Sequence, residues 1–120
     1  MSAHFSGLAE ALRELRQGVE RATRATLEAH ADRIAGIARA DHPYQDRTGR
    51  LTRSLKRGRA TGHALDGSLS VYVGAWTEYA SFVEYGTVRA RPYPYLEPAA
   101  VEAEPYLTLE ADQAFRRAFP

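Results

Sequence analysis

The sequence predicts a segregated α+β fold, in which a long N-terminal helix and a C-terminal helix pack on a small antiparallel sheet. Three features predict it: a proline-free amphipathic run from Ser6 to Ala40, alternating apolar residues at Leu69, Val71 and Val73, and a helical C-terminal segment that starts near Pro98. One domain, residues 1–120, is expected, because 120 residues suit one hydrophobic core and are too few for two.

The N-terminal helix is expected from Leu8, Leu12, Leu15, Val19 and Ala22, which follow 4-3-4-3 spacing along one stripe. A second stripe, Leu27, Ala31, Ile34 and Ala38, begins after a step of five, so the buried face rotates or the helix bends near Thr23 to Thr26. The helix should stop in Asp41-His42-Pro43-Tyr44-Gln45-Asp46, where proline and two aspartates favour turns. Thr48 is expected to cap a helical turn that puts Leu51 and Leu55 on one side and basic residues on the other.

Period-two alternation over Leu69, Val71 and Val73 predicts a strand, paired as a hairpin with residues 55–61 across a turn at 62–67 that holds Gly62, Asp66 and Gly67. A third strand is expected between Val88 and Tyr93. Residues 79–86 read as a short aromatic helix closed by Gly86, and residues 91–96 as extended, since Pro92 and Pro94 fix φ. Pro98 suits the first turn of a final helix reaching Phe119, with a bend at Pro105.

Apolar residues make up 44% of the chain and charged residues 26%, as a soluble globular domain requires. There is no cysteine, which removes disulfide and zinc-thiolate chemistry. No apolar run approaches the roughly 18 residues of a membrane span, so a soluble, unprocessed chain with no membrane partner is expected. His4, His30, His42 and His63 lie in no cluster with ligand spacing, so no metal is expected. A phosphate loop, a nucleophile elbow and triad spacing are all missing, so no catalytic residue, cofactor or small-molecule substrate is expected. Glu102 with Glu104, and Glu110 with Asp112, read as a solvated acidic face.

Arg47, Arg50, Arg53, Lys56, Arg57 and Arg59 are six cations with no intervening acid, while the C-terminal part leans acidic; the formal net charge is only +1. Three readings stay open for the basic stretch. It is a solvated surface, a face that meets the acidic face of a neighbouring copy, or a lining that contacts phosphates with steep salt dependence. Tyr44, Tyr72, Trp76, Tyr79, Phe82, Tyr85, Tyr93, Tyr95, Tyr106, Phe115 and Phe119 are expected mostly in the core. Tyr93 and Tyr95, stiffened by Pro94 and accompanied by Arg91, are the leading contact candidates among them.

The string Tyr79-Ala80-Ser81-Phe82-Val83-Glu84-Tyr85-Gly86-Thr87, followed by Arg91-Pro92-Tyr93-Pro94-Tyr95-Leu96-Glu97-Pro98-Ala99, resembles the gp-ten-like tail-component family of bacteriophages. Its marks are Tyr79-Ala80, the turn at Glu84, Gly86 and Thr87, then Pro92 and the Pro98-Ala99 helix start. Upstream, Thr48, Gly49, Leu51, Ser54 and Leu55 resemble its threonine-glycine-x-leucine element. Pro94 and Pro105 depart from that pattern. The resemblance implies a structural virion protein without catalysis, assembled in the bacterial host cytoplasm. It would form a ring, a hexamer, at the head–tail junction or tail end, contacting neck, connector and tail proteins, with DNA passing through its lumen as a further candidate contact. The runner-up is a small basic nucleic-acid-binding module, and a toxin-like nuclease ranks below both.

Overall fold

The computed structural model describes residues 6–40, 49–76, 84–86 and 94–120. Helix α1 spans Ser6–Ala40 as expected. Its alanines favour helix, and no proline interrupts it. The buried stripe is made of small residues, Gly18, Ala22, Thr26, Ala31, Ala35 and Ala38, with its five-residue step between Thr26 and Ala31. The hydroxyls of Thr23 and Thr26 donate back to the carbonyls of Val19 and Ala22, at 2.8 and 2.7 Å, and the helix runs through unbroken.

Leu8, Leu12 and Leu15, expected in the buried stripe, are instead 55%, 50% and 51% exposed. The reason is length: α1 extends beyond what packs against it, and every described side chain from residue 7 to residue 17 is exposed.

Helix α2, Arg50–Ser54, follows Gly49, which sits at the N-cap with φ 75° and provides no side-chain cap. The expected cap, Thr48, lies outside the described residues, as does the turn at 41–46. Leu51 and Leu55 are each only 1% exposed, on one side as expected. Strand β1, Leu55–Arg57, pairs antiparallel with β2, Val73–Ala75, in the register Leu55 to Ala75, Lys56 to Gly74 and Arg57 to Val73.

The hairpin is present, but the ladder is shorter than expected over residues 69–73. Gly58 N–H still donates to the Tyr72 carbonyl, at 2.7 Å, in the β1/β2 register. The next pairing, Thr61 with Ser70, is offset by one residue. One extra residue on the first strand between Gly58 and Thr61 is a bulge, which ends regular pairing. The bulge is held to α1, for Arg24 donates to the carbonyls of Ala60 and Gly62, at 2.8 and 3.0 Å. Beyond it, Glu20 accepts the Ala64 N–H. The expected third strand, residues 88–93, and most of the expected short helix lie outside the described residues.

Helix α3, Glu97–Ala103, carries proline in its first turn, as Pro98 predicted. A 3-10 turn, Glu104–Tyr106, containing Pro105, separates it from α4, Leu107–Ala118. Proline removes one donor and crowds the preceding turn, so the helix tightens there, at the expected bend. Within the expected α+β class, α4 runs antiparallel along α1. Glu110 meets His30 near the start of α4, and Phe119, just past its end, lies over Gly18.

The core cluster is Ala38, Leu51, Leu55, Tyr95 and Ala99, flanked by Ile34, Ile37, Ala75 and Leu96. Tyr95, expected at a contact surface, is instead a core residue, 2% exposed. The other described rings reverse expectation as well. Tyr72, Trp76, Tyr85, Tyr106, Phe115 and Phe119 are all exposed. Alanine-lined helix faces bring backbones close and leave no volume for rings between them. The molecule is drawn out to 78 × 23 × 20 Å, with a radius of gyration of 19.5 Å. A compact chain of this length would have a radius of about 14 Å.

Candidate assembly interface

The basic stretch is built from α2, β1 and the bulge that follows. Arg50, Arg53, Lys56 and Arg59 are exposed. Arg57 faces the other way. As the strand alternates, Leu55 and Arg57 point to α1, where Arg57 meets Glu28 and Asp32, each at 3.0 Å. Its Nε approaches Asp32 as an ion pair without hydrogen-bond geometry. Arg57 therefore clasps the hairpin to α1 and leaves the expected contact set. Arg47, Arg91 and Tyr93 of that set lie outside the described residues.

The outer face of the sheet holds a cluster that the basic run alone does not announce. Lys56 stands opposite Gly74, and Tyr72 and Trp76 flank that glycine at two-residue spacing, so all share one face. Tyr72 and Trp76 meet edge to face, with ring centroids 5.4 Å apart. The Lys56 ammonium lies 5.3 Å from the centre of the indole ring. The backbone at Trp76 is anchored by its amide N–H, which donates to Ser54 Oγ at 3.1 Å. The face is exposed nonetheless: Tyr72 is 65% and Trp76 48% accessible. Alternation of residues 69–73 was the available signal, since it assigns Tyr72 to the wetter side.

The described motif residues take part in holding the fold. Glu84 is buried, and its Oε1 accepts the N–H groups of Tyr95 and Leu96, at 3.1 and 2.8 Å. Leu96 is the N-cap of α3 and has no side-chain cap of its own, so Glu84 satisfies donors that the helix leaves orphaned. Gly86 has φ 76°, the left-handed conformation expected of it. Leu51 is core, and Pro98 opens α3. Thr48, Tyr79, Ala80, Thr87 and Pro92 lie outside the described residues.

The acidic residues divide. Glu102 and Glu104 are exposed, as expected, and so is Glu97, while Asp112 pairs with Arg116 at 2.9 Å. Glu110, expected on the same solvated face, is only 4% exposed. Its Oε1 meets His30 Nδ1 at 3.0 Å and Arg33 Nε at 3.1 Å, joining residues about eighty positions apart. Arg33 also lies over the Tyr106 ring, 4.3 Å from its centre. Antiparallel packing of α4 on α1 brings this clasp together, and no short spacing could announce it. Among the described residues no group of His, Cys, Asp and Glu could hold a metal ion, and no helix is long and apolar enough to cross a membrane.

Much apolar surface also lies outside. Besides Leu8, Leu12 and Leu15, it includes Val101, Leu107 and Leu109 on the C-terminal helices. A groove of about 540 Å³ runs between the N-terminal half of α1 and the end of α4, lined by Ala11, Leu15 and Phe119 among others.

No curated protein and no solved structure matches the chain. A family model does, over residues 6–86: the family described as Bacteriophage HK97-gp10, putative tail-component. The match takes in α1, the Gly49–Leu51 element and the hairpin, and ends at Gly86, before α3. It covers more than half of the 120 residues, and on that ground the chain belongs to the HK97-gp10 family of bacteriophage tail components.

Proposed function

We propose that this tail component is a structural, non-enzymatic subunit that closes into a ring at the head–tail junction or tail end, completing the tail. The ring is a hexamer in this reading. The observation that carries it is the inversion of apolar residues. Among the described residues the large apolar side chains at the centre of the core are Leu51, Leu55 and Tyr95, while three leucines on α1 and six aromatic rings are left in contact with water. Burying a leucine or phenylalanine contributes roughly 1.5–3 kcal/mol, so association offers more than the isolated fold has realised. A slender subunit with a projecting helix suits contact with several neighbours: copies of itself, a connector above and tail proteins below. Arg53, Lys56 and Arg59 face solvent, where such partners or DNA in the lumen would meet them, whereas Arg57 is neutralised by Glu28 and Asp32. Assembly takes place in the bacterial host cytoplasm.

The test is deletion of the gene from a producing phage, with the particles imaged by electron microscopy. Filled heads and tails that fail to join, or tails of abnormal length, are expected. Normal numbers of joined, infectious particles would contradict the reading.

A further inference from the structure

We propose that the outer sheet face formed by Lys56, Tyr72 and Trp76 docks the acidic stripe Glu97, Val101 and Glu104 of a second copy of this chain. The inference rests on the ring reading and names the two surfaces that meet.

Each surface is incomplete in the same way. On the sheet, Tyr72 and Trp76 are held in place, edge to face, yet both are exposed. Lys56 lies over the Trp76 ring and has no carboxylate partner among the described residues. Along α3 and into the first residue of the 3-10 turn that follows, the residues spaced four and three apart, Glu97, Val101 and Glu104, lie along one line. That line is opposite Ala99 and Ala103, which are buried against the body of the molecule. Val101 is 65% exposed, and neither glutamate has an ion-pair partner among the described residues. The two faces are complementary in chemistry: rings and a cation on one, an apolar side chain between carboxylates on the other. Aromatic residues are the usual anchors of a protein contact, and peripheral charges choose the partner and its orientation.

The two patches are different surfaces of one chain, so the contact is head-to-tail, the kind that closes into a ring when its rotation allows. A single-stranded nucleic acid would also suit this face, with phosphates at Lys56 and bases on Tyr72 and Trp76, but a formal net charge of only +1 gives no whole-molecule attraction towards it. The chain itself carries the better complement.

The experiment uses the full chain, with sedimentation velocity over a concentration series for wild type, K56E, W76A, E97K/E104K and the combination K56E/E97K/E104K. All these side chains are exposed, and circular dichroism checks each fold. Wild type should self-associate, while K56E, W76A and E97K/E104K should each weaken association by roughly tenfold or more. The combination should recover most of the loss. If wild type associates and the charge reversals change nothing, or the combination fails to recover, this docking is wrong while the ring reading stands. If wild type never associates, alone or with neck and tail proteins, the ring reading itself falls. Loss of binding to a short labelled duplex DNA in K56E and W76A, with self-association intact, would assign the face to nucleic acid instead.

Discussion

The Glu84 carboxylate accepts the Leu96 N–H at 2.8 Å, and so joins the last residues of the family match to the first turn of α3. A buried acceptor serving two backbone donors should be costly to remove. Glu84→Ala is expected to lose about 2–3 kcal/mol of stability, and Glu84→Gln less, because its carbonyl can still accept. Chemical denaturation followed by circular dichroism reads both. Equal stability of the alanine variant and wild type would show that water replaces the carboxylate.

The His30, Arg33 and Glu110 clasp should be local in effect. Glu110→Ala leaves Arg33 and His30 without their carboxylate, and the cost should fall near the low end, about 3 kcal/mol, because Arg33 keeps partial access to water. Hydrogen exchange should accelerate across α4 while the amides of β1 and β2 keep their protection. Uniform acceleration over the whole chain would mean that α4 and the hairpin unfold as one unit.

Two glycines should respond in opposite directions. A Cβ on Gly18 meets only the far edge of the Phe119 ring, a half-exposed side chain just past the end of α4, which can turn aside. Gly18→Ala should therefore be neutral or stabilising by up to about 1 kcal/mol through helix propensity. Gly62 has φ 89°, and its Cβ would lie 2.3 Å from the Ser68 carbonyl oxygen, which is backbone. Gly62→Ala should cost about 2 kcal/mol. Thermal melts of the two variants separate these outcomes.

The Asp66 turn should be sensitive to acid. The Ser68 hydroxyl, and then its N–H, donate to the Asp66 carboxylate and hold its pKa below the ordinary aspartate value. A lowered folded-state pKa means that the turn is supported above the ordinary aspartate range and loses that support as pH falls through the folded value. The Ser68 amide resonance should follow that titration in acid, and in Asp66→Asn it should not. A Ser68 shift that follows pH equally in both proteins would contradict the assignment.

What was legible in the sequence was whatever short spacing encodes. The extent of α1, the one-sided placement of Leu51 and Leu55, the hairpin, the start at Pro98 and the break at Pro105 all follow from local rules, and all are present. The inside–outside assignment was less legible, because periodicity identifies a helix stripe without saying whether anything covers it. Leu8, Leu12 and Leu15 keep perfect spacing and face water, and Tyr95 looked like a contact residue but fills the core. Glu110 and Arg57 looked like members of charged surfaces, yet each is matched by a partner on α1 that only tertiary packing brings near. Of the candidate contacts, the run from Arg50 to Arg59 includes Lys56 of the proposed docking face, while alternation put Tyr72 on the wetter side and strand register alone brings Lys56 onto the same face.

The central claim is that this chain is completed by its neighbours, and the most direct measurement is the mass of the purified full-length protein in solution, by native mass spectrometry or sedimentation equilibrium. The account predicts a single closed multimer, formed either alone or on addition of the adjoining neck or tail protein, with Leu8, Leu12, Leu15 and Trp76 gaining protection on assembly. A monomer at every concentration, indifferent to those proteins and with the same residues permanently solvated, would contradict it.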